Sequence, residues 1–392
     1  MRIVIVGAGI AGLAAARGLR TAGHEVTVLE RAPALRDGGC AIILWSNGTA
    51  VLRDLGVPLD GLGRRLDALE ARSARGRPVM TVDTARLERE LGAPTMVIRR
   101  RTLIARLAEG LPEDTVRFGA RVTRLHDDGR TVRAETEDGA EHAADLLIGA
   151  DGVNSPVRDA LFGAAPGTGA RPTGAATWQG LIPAPFDLGS RSLLFLGRHG
   201  LVGLHPAGDG MLQWLIDLRW RPGDEAGPER ALAALRERYA GHAPPVAALL
   251  AALSEKDLQL FPHTRRRASL PWRRGRSVLI GDAAHAMPPI LALGAGQALE
   301  DVAALTHVLA GATGENAAAA LPAYESARRR QAALASAAAT RGVATAGPRT
   351  AFQSEAALRG AVALPDRLAT WLFGRLVTSV STRLGRRALA DD

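Results

Sequence analysis

The chain has 392 residues, 47% of them hydrophobic and 23% charged, which is typical of a globular protein with about two domains. Its net charge of +9 comes from arginine, since Lys256 is the only lysine, and the arginines are scattered rather than grouped with aromatic residues. This distribution argues against a nucleic-acid partner and favours anionic small-molecule ligands. The single cysteine, Cys40, excludes an internal disulfide, and we expect no metal site.

The N-terminus opens directly into an apolar strand, so we expect no signal peptide. No apolar run approaches the roughly 20 residues that a membrane-spanning helix needs. We therefore expect a cytoplasmic protein without a membrane span.

The first thirty residues predict a βαβ unit. Arg2–Val6 is a short apolar strand, Leu13–Thr21 is a helix that ends at Gly23, and Glu25–Glu30 is a second strand. Further elements follow in this order: loop and helix over 34–68, an irregular stretch over 69–97, a helix over Arg100–Gly110, a β-meander over Val116–Val122 and Val132–Glu137, and a buried strand over Asp145–Gly149.

The second half of the chain predicts a separate sheet and then helices. Residues 164–175 have the Gly- and Pro-rich composition of a linker. The predicted strands of an antiparallel sheet are Ala176–Ile182, Ser192–Leu196, Leu201–His205 and Leu212–Leu218. Beyond them we expect a strand at Val278–Ile280, helices at Gln297–Leu309 and 316–345, and an amphipathic segment at Asp366–Leu389 whose apolar side carries Trp371, Leu372, Leu376 and Leu384. We expect that side to pack on the protein or on a dimer partner; the alternative is that it lies on a membrane surface.

A glycine-rich loop, Gly7-Ala-Gly-Ile-Ala-Gly12, joins the first strand to the first helix. Gly7 permits a tight turn, Gly9 lets a pyrophosphate approach the backbone, and Gly12 lets the helix pack on the strand. The helix N-terminus offers unpaired N–H groups to phosphate. Glu30 ends the second strand, where its carboxylate can accept both hydroxyls of a ribose. The pattern predicts dinucleotide binding.

Two later motifs narrow the kind of dinucleotide that this loop is expected to bind. Asp151-Gly152 follows a buried strand within the run DLLIGADGVNSPVR, and Gly281-Asp282 follows another within VLIGDAAHAMPP. With all three motifs the chain resembles the FAD-dependent single-component (group A) aromatic monooxygenases, the para-hydroxybenzoate hydroxylase-like family. The resemblance covers nearly the whole chain. It implies an α/β fold: a Rossmann-like FAD-binding domain, a smaller mixed or antiparallel β-sheet substrate domain, and a C-terminal helical segment.

The implied domains are discontinuous. We expect the FAD-binding domain to comprise 1–68, 98–170 and 271–345, the substrate domain 69–97 and 171–270, and the C-terminal helices 346–392.

The resemblance implies a set of cofactor contacts. Asp151-Gly152 would lie near the FAD pyrophosphate, Asp282 would hold a ribityl hydroxyl, and Arg100, which begins an Arg-x-x-Leu helix start, would contact the cofactor. Val122 would contact the adenine through its backbone. The full set is Gly7, Gly9, Ala11, Gly12, Glu30, Arg31, Arg36, Ala41, Arg100, Val122, Asp151, Gly152, Gly281, Asp282, Pro289, Gly294, Ala295 and Gly296. Cys40 lies in the loop expected beside the flavin, either as a reactive thiol or as a small buried one.

One segment departs from the family. After Pro289 the family commonly shows Gly-Gln-Gly, whereas Ala292-Leu-Gly-Ala-Gly296 stands in that place here. Residues 294–297 still offer consecutive backbone N–H groups at a helix start, which suits negative charge on a reduced flavin. We therefore expect FAD binding to survive the departure.

The family's reaction begins when NADH or NADPH, bound transiently, reduces FAD. The reduced flavin adds O2 as a C4a-hydroperoxide, and one oxygen atom then passes to the substrate. The resemblance therefore implies hydroxylation of an aromatic or polycyclic small molecule. Arginine in place of lysine suggests a GC-rich bacterial genome and a secondary-metabolite substrate. We expect a monomer or a homodimer.

No single side chain is marked as catalytic by the sequence. A phenolic substrate reacts better when deprotonated, and His205, at a strand end before Pro206, is the candidate base; the alternative is a strand-end residue satisfied by backbone. Trp45, Trp178, Phe195 and Trp214 are candidate walls of an aromatic pocket, although spacing of period two fits sheet core equally well.

Other flavin chemistry stays open. Epoxidation or Baeyer–Villiger insertion uses the same intermediate, and an isoprenoid reductase or a redox-inactive FAD-binding module shares the first motif. Flavin-dependent halogenases show Trp-x-Trp-x-Ile-Pro and an essential lysine; here Gly180 replaces the second tryptophan and Lys256 lies far downstream, which argues against halogenation.

Overall fold

Two large sheets organise the chain, whose computed structural model describes residues 1–163, 169–224, 227–266, 271–346 and 365–384. The first has six strands, β1 (Arg2–Val6), β2 (Glu25–Glu30), β8 (Val116–Phe118), β12 (Leu146–Gly149), β18 (Arg273–Arg274) and β19 (Ser277–Leu279). Their order in the sheet is β18-β19-β12-β1-β2-β8, and all neighbours are parallel except β18 and β19. The predicted bounds of β1 and β2 are confirmed.

Helices cover the parallel sheet, which explains why β1 and β12 each carry four consecutive buried residues. Contact with this layer or with its loops is made by α1 (Ile10–Thr21), α4 (Arg100–Ala108), α5 (Pro156–Phe162), α8 (Asp282–His285), α9 (Gly294–Leu309) and α10 (Ala317–Ala346). Gly18 of α1 lets α9 come close, because a Cβ there would lie 2.8 Å from the Thr306 hydroxyl oxygen. This layer holds the largest hydrophobic core.

The second sheet has seven strands, β5 (Ala68–Ser73), β6 (Pro78–Asp83), β13 (Arg171–Pro183), β14 (Arg191–Gly197), β15 (Gly200–Pro206), β16 (Met211–Arg219) and β17 (Gln259–Arg265). Their order in the sheet is β17-β13-β16-β15-β14-β5-β6. All neighbours are antiparallel except β14 and β5, which are parallel.

Two sequence predictions about this sheet are wrong. The stretch 69–97 is not irregular, because β5 and β6 extend the sheet and α3 (Thr84–Leu91) follows them. Residues 171–175 of the predicted linker belong to β13, which is 13 residues long; residues 164–168 lie outside the described part of the chain. Backbone pairing with β16 and β17 thus overrides the Gly- and Pro-rich local composition.

The two faces of the seven-stranded sheet have different neighbours. One face, here the helix face, packs under α6 (Pro228–Tyr239) and α7 (Pro244–Ala252) to form a second hydrophobic core. The opposite face, here the site face, carries His205 and Gln213, which are paired in register on β15 and β16. Apolar residues of the site face pack toward the Rossmann-like layer and the C-terminal helix.

Two three-stranded sheets complete the β-structure. They are β9 (Val122–Asp127), β10 (Val132–Thr136) and β11 (Glu141–Ala144) in one, and β3 (Ala41–Leu44), β4 (Arg64–Arg65) and β7 (Met96–Arg99) in the other. The β-meander predicted from residue 116 is therefore partly wrong. Val116–Phe118 pairs with β2 in the parallel sheet, and the meander begins only at Val122.

The helix α11 (Asp366–Ser379) packs on β6, α2 (Ser46–Asp54) and α3. Its buried side differs from the predicted apolar side: Trp371 is 54% exposed and Leu372 is 47% exposed. The helix instead approaches through Gly374, where a Cβ would lie 2.9 Å from Leu87, while Leu376 is half-buried and Leu384 is buried. Small residues permit the close contact that the larger ones would prevent. Within the described ranges, no helix combines the length and apolar character needed to cross a membrane.

Candidate FAD and substrate site

The three sequence motifs meet at the carboxyl ends of β1, β12 and β19, which are neighbours in the parallel sheet. Gly7 has φ of +105°, and a Cβ placed on it would lie 2.6 Å from the Ala150 carbonyl oxygen, next to Asp151. A Cβ on Gly281 would lie 3.3 Å from the Cβ of Ala11. Segments up to 270 residues apart in the chain thus form one surface, at the sheet edge where α/β folds bind ligands.

The glycine-rich loop has the close approaches that its glycines predict. A Cβ on Gly12 would lie 1.9 Å from the Gly7 carbonyl oxygen, so only glycine fits there. Gly9 differs: no described atom lies within 4 Å of the position its Cβ would take. Gly9 is also the N-cap of α1, which within the described structure has no side-chain cap. Open space beside unpaired N–H groups at a helix N-terminus fits a phosphate.

Glu30 lies beside this loop at the end of β2. Its carboxylate oxygens accept hydrogen bonds from the backbone N–H of Ala8 (2.7 Å) and of Ala32 (2.9 Å), so its orientation is set by the protein. The side chain is half-buried, which leaves lone pairs for a further donor such as a ribose hydroxyl. Arg31 next to it is exposed, and Val122 is buried at the start of β9.

Asp151 carries an unused acceptor. Oδ2 accepts from the Val157 backbone N–H (2.9 Å), but Oδ1 is buried without a hydrogen-bond partner among the described residues. Burial raises the pKa of this carboxyl, partly offset by the hydrogen bond from Val157 and by the charge of Arg158. Gly152, with φ of +86°, turns the chain away beside it. An orphaned buried acceptor at the junction of the motifs fits a ligand that supplies a donor.

The second and third motifs are also tied to each other. The buried Arg158 donates from Nη1 to the Ala283 carbonyl oxygen (3.1 Å). Arg266 donates from its backbone N–H to Ala286 (2.8 Å) and from Nη2 to Val153 (3.1 Å). These bonds hold the loops after β12 and β19 in a fixed relation.

Charged groups converge in a cleft around Asp282. Its side chain is exposed, yet surrounding protein desolvates the carboxyl and raises its pKa, against the opposing charges of His285 and Arg100. A group that is both accessible and desolvated lies in a cleft rather than on an open surface. Arg100 adds a buried Nε without a partner in the described chain, and burial together with Arg36 lowers its pKa. A buried unpaired guanidinium donor fits an anionic or oxygen-rich ligand.

The start of α9 forms the next wall. Pro289 is exposed in the preceding turn, Gly294 has no described atom within 4 Å of its would-be Cβ, and no side chain caps this N-terminus within the described residues. Ala295 is half-buried. Gly296 packs against Asn47, whose side-chain amide would lie 3.3 Å from a Cβ placed on Gly296. Ala292, in the segment that departs from the family's Gly-Gln-Gly, has φ of +51°. That conformation favours glycine, so the departure strains this backbone while the helix start stays available.

His205 lies on the site face but is deeply placed. It is 2% exposed, its Nδ1 is 3.0 Å from the Ser192 hydroxyl oxygen, and burial lowers its pKa to about 4. Gly203 makes room for the other ring nitrogen, because a Cβ there would lie 2.8 Å from Nε2. A neutral imidazole with so low a pKa is a weak base for a phenol. Hydrogen bonding to a substrate suits it better than proton abstraction.

Sequence reasoning missed Gln213, which faces His205 across the strand pair. Gln213 Oε1 accepts from the Ala41 backbone N–H (2.6 Å), and its side chain also bonds Cys40. Burial raises the pKa of the Cys40 thiol, which is consistent with an inert thiol. The alternation of β15 and β16 places these polar residues on one face, but only the fold shows that this face meets β3.

Three of the four predicted pocket rings lie elsewhere. Trp178, Phe195 and Trp214 are buried on the helix face, in the core with α6 and α7. We therefore assign them to sheet packing, which corrects the pocket interpretation. Trp45 lies on the other side, where its Nε1 donates to the Leu291 carbonyl oxygen (2.9 Å) and its ring packs edge-on against Phe373.

Two hydrophobic clusters that share Ile43 of β3 include half-buried apolar side chains of the seven-stranded sheet and of the turn before α9. The half-buried residues are Ile43, Met80, Leu181, Leu194, Leu291 and Met211. Partly accessible apolar walls with few polar groups are typical of small-molecule pockets. The described residues hold no group of three or more His, Cys, Asp or Glu that could bind a metal.

Lys256 lies away from this region. It belongs to a short helical turn packed on β13 beside Gly180, where a Cβ would lie 2.1 Å from the Asp257 carbonyl oxygen and 2.6 Å from Trp214 Nε1. Because Gly180 and Trp214 are paired on the helix face, Lys256 is on that side too. This placement also explains why no tryptophan fits at position 180.

Comparison with known proteins agrees with this geometry. A family model described as FAD binding domain matches residues 1–339. The chain is 31% identical over 354 residues to 6-hydroxynicotinate 3-monooxygenase of Bordetella bronchiseptica, covering 84% of this chain and 88% of that protein. It is 36% identical over 319 residues to 3-amino-4-hydroxybenzoate 2-monooxygenase of Streptomyces cremeus, covering 79% and 78%.

Among solved structures, Klebsiella pneumoniae HpxO complexed with FAD and uric acid has a TM-score of 0.89 and 28% identity, with 97% of each chain covered.

Proposed function

Because the chain belongs to the FAD-dependent single-component (group A) aromatic monooxygenase family, we propose that it hydroxylates an aromatic or polycyclic small molecule with O2 and a nicotinamide co-substrate. It is a FAD-dependent oxidoreductase of the monooxygenase type. The observation that carries the proposal is the convergence of Gly9, Asp151 and Asp282 on one cleft with unpaired donors and acceptors.

Bound FAD would supply both acceptance of hydride from the nicotinamide and activation of O2. The loop around Gly9 and the N-terminus of α1 would hold the diphosphate, and Glu30 the adenosine ribose. Asp282 and Arg100 would bind oxygen atoms of the FAD that lie nearer to its flavin ring. The N-terminus of α9 would stabilise negative charge on the ring once it is reduced.

We propose that the substrate ring lies between the site face, β3 and the turn before α9. The walls around Ile43, Leu194 and Leu291 are apolar, which favours a largely uncharged aromatic ring. His205 and Gln213 are the polar residues of the site face that would orient a ring hydroxyl or carbonyl. On this assignment residues 69–97 and 171–270 form the substrate-binding unit, and 1–68, 98–170 and 271–345 the FAD-binding unit.

The proposal is tested by mixing the holoenzyme anaerobically with NADH or NADPH, with and without phenolic and polycyclic ligands. We expect one nucleotide to bleach the flavin, and a substrate-like ligand to accelerate the bleaching. Admission of ¹⁸O₂ should then place one labelled oxygen atom in the product. Absence of bleaching by either nucleotide, or turnover of substrate without oxygen, contradicts the proposed hydroxylation.

A further inference from the structure

A cluster of buried charges lies behind the Gly281–Asp282 loop. Glu300, Asp301 and Arg328 have no solvent exposure, and His285 is 1% exposed. Charged side chains are seldom buried so completely unless they are paired, because removing them from water is unfavourable. These four groups are paired with one another: His285 and Arg328 contact Asp301, and Arg328 also lies near Glu300.

Asp301 is the centre of this cluster. Its Oδ2 accepts from the Gly281 backbone N–H (2.8 Å) and from His285 Nε2 (2.5 Å), and its Oδ1 accepts from Arg328 Nε (2.8 Å). Burial opposes ionisation, but the charges of His285 and Arg328 outweigh it and lower the pKa of Asp301. The ionised carboxylate therefore holds the residue directly before Asp282.

Arg328 reaches a second element with its other nitrogens. Nη2 donates to the Gln297 backbone carbonyl (3.2 Å) and to its Oε1 (2.7 Å). Gln297 directly follows Gly296 in the first turn of α9, and its Nε2 donates to the Val380 carbonyl oxygen (2.8 Å). The Arg328 guanidinium therefore bonds both Asp301, which holds the loop after β19, and Gln297, which lies at the start of α9.

The C-terminal segment adds a further tie to the same helix. Glu300 accepts hydrogen bonds from the Ser381 hydroxyl, from the Thr382 hydroxyl (2.6 Å) and from the Thr382 backbone N–H (3.1 Å). It also lies 3.9 Å from Arg328 Nη1. The first turns of α9 are therefore bonded to α10 and to the residues that follow α11.

We infer that Arg328 is a positioning residue for the flavin: through Asp301 it holds the Gly281–Asp282 loop, and through Gln297 it holds the N-terminus of α9. The planar fork of an arginine bonds both partners at once, whereas the single ammonium of a lysine cannot keep the same two directions. The inference rests on FAD binding and is independent of which substrate is hydroxylated.

The test compares Arg328→Lys with Arg329→Lys, the same change at the next position, where the side chain is 43% exposed. The readouts are the dissociation constant of FAD from the folded apoprotein and the two-electron midpoint potential of the bound flavin. For Arg328→Lys we expect FAD binding to weaken about tenfold or more. The α9 N-terminus favours the reduced, more negative flavin, so a tenfold greater loss for the reduced form lowers the potential by about 30 mV. Arg329→Lys should change neither.

A loss of folding in Arg328→Lys is addressed by Gln297→Met, which leaves every buried charge with its partner. This variant should weaken FAD binding on its own while the far-UV circular dichroism stays unchanged. The double variant Gln297→Met with Arg328→Lys should raise the FAD dissociation constant by less than the product of the two single increases, because both changes remove the hydrogen bond between Arg328 and Gln297. Multiplicative effects on the dissociation constant, or a lower melting temperature with unchanged FAD affinity and potential, would overturn the inference.

Discussion

Gly9→Ala distinguishes effects on folding from effects on cofactor binding more sharply than a change at Gly7 or Gly12. Gly9 has φ of −80° and ψ of −172°, which alanine adopts readily, and its Cβ would meet no described atom within 4 Å. Changes at Gly7 or Gly12 would instead clash with backbone. We therefore expect the Gly9→Ala apoprotein to fold with nearly unchanged stability.

FAD binding by the same variant should fall strongly. If the diphosphate lies against Gly9, the added methyl group displaces it from one charge-assisted hydrogen bond of the loop. Such a bond contributes about 1.5–3 kcal/mol, which corresponds to an increase of about 10- to 150-fold in the dissociation constant. The assay is titration of apoprotein with FAD, followed by flavin fluorescence, with thermal unfolding of the apoprotein measured alongside.

Gly227→Ala is the matched control. Gly227 is the N-cap of α6 with φ of −57°, and it too has no described atom within 4 Å of its would-be Cβ. At both sites alanine is a poorer N-cap than glycine, which lowers the stability of the folded state by about 0.5–1 kcal/mol. Alanine also reduces the conformational entropy of the unfolded chain, which raises stability by about the same amount. The two variants should therefore have similar stability and differ only in FAD binding. A change of less than about threefold for Gly9→Ala refutes the placement of the diphosphate.

Three further predictions concern strain, substrate orientation and pH. Ala292→Gly should leave stability unchanged or raise it by up to about 1 kcal/mol, because φ is +51°, whereas Ala303→Gly within α9 should lower it by about 1 kcal/mol; chemical denaturation measures both. His205→Gln should lower kcat/KM by about tenfold through loss of one hydrogen bond and leave the FAD dissociation constant alone; unchanged coupling of nicotinamide oxidation to product removes it from the site. Burial raises the pKa of Asp217 to about 6, so protonation of this carboxyl stabilises the folded state as pH falls from 6 to 4. Burial lowers the pKa of His263 to about 4, so this imidazole destabilises the folded state as pH falls from 6.5 to 4. The two effects offset each other in the native protein. Compared with the native protein, Asp217→Asn should therefore lose about 3 kcal/mol more stability between pH 6 and 4, and a variant whose profile parallels that of the native protein contradicts the assignment.

Patterns among neighbouring residues were sufficient to predict the parts of the site that are formed by the backbone. The unit from Arg2 to Glu30 could be predicted because an apolar run, a glycine turn and a second apolar run are read from neighbouring residues. Asp151 and Asp282 could be located because each lies in the loop immediately after a buried strand. Once such strands are parallel neighbours, their loops must share one edge of the sheet.

What the amino-acid sequence by itself determined is therefore the FAD-binding framework and the family chemistry. Alternation along a strand shows that Trp178 and Gly180 share a face, but not whether helices or the flavin cleft cover it. That choice, and with it the roles of Trp214 and Gln213, is made by contacts with α6, α7 and β3. The link from Arg328 to Asp301 likewise joins two helices. Such contacts leave no periodic signal, because they depend on how distant elements pack in three dimensions.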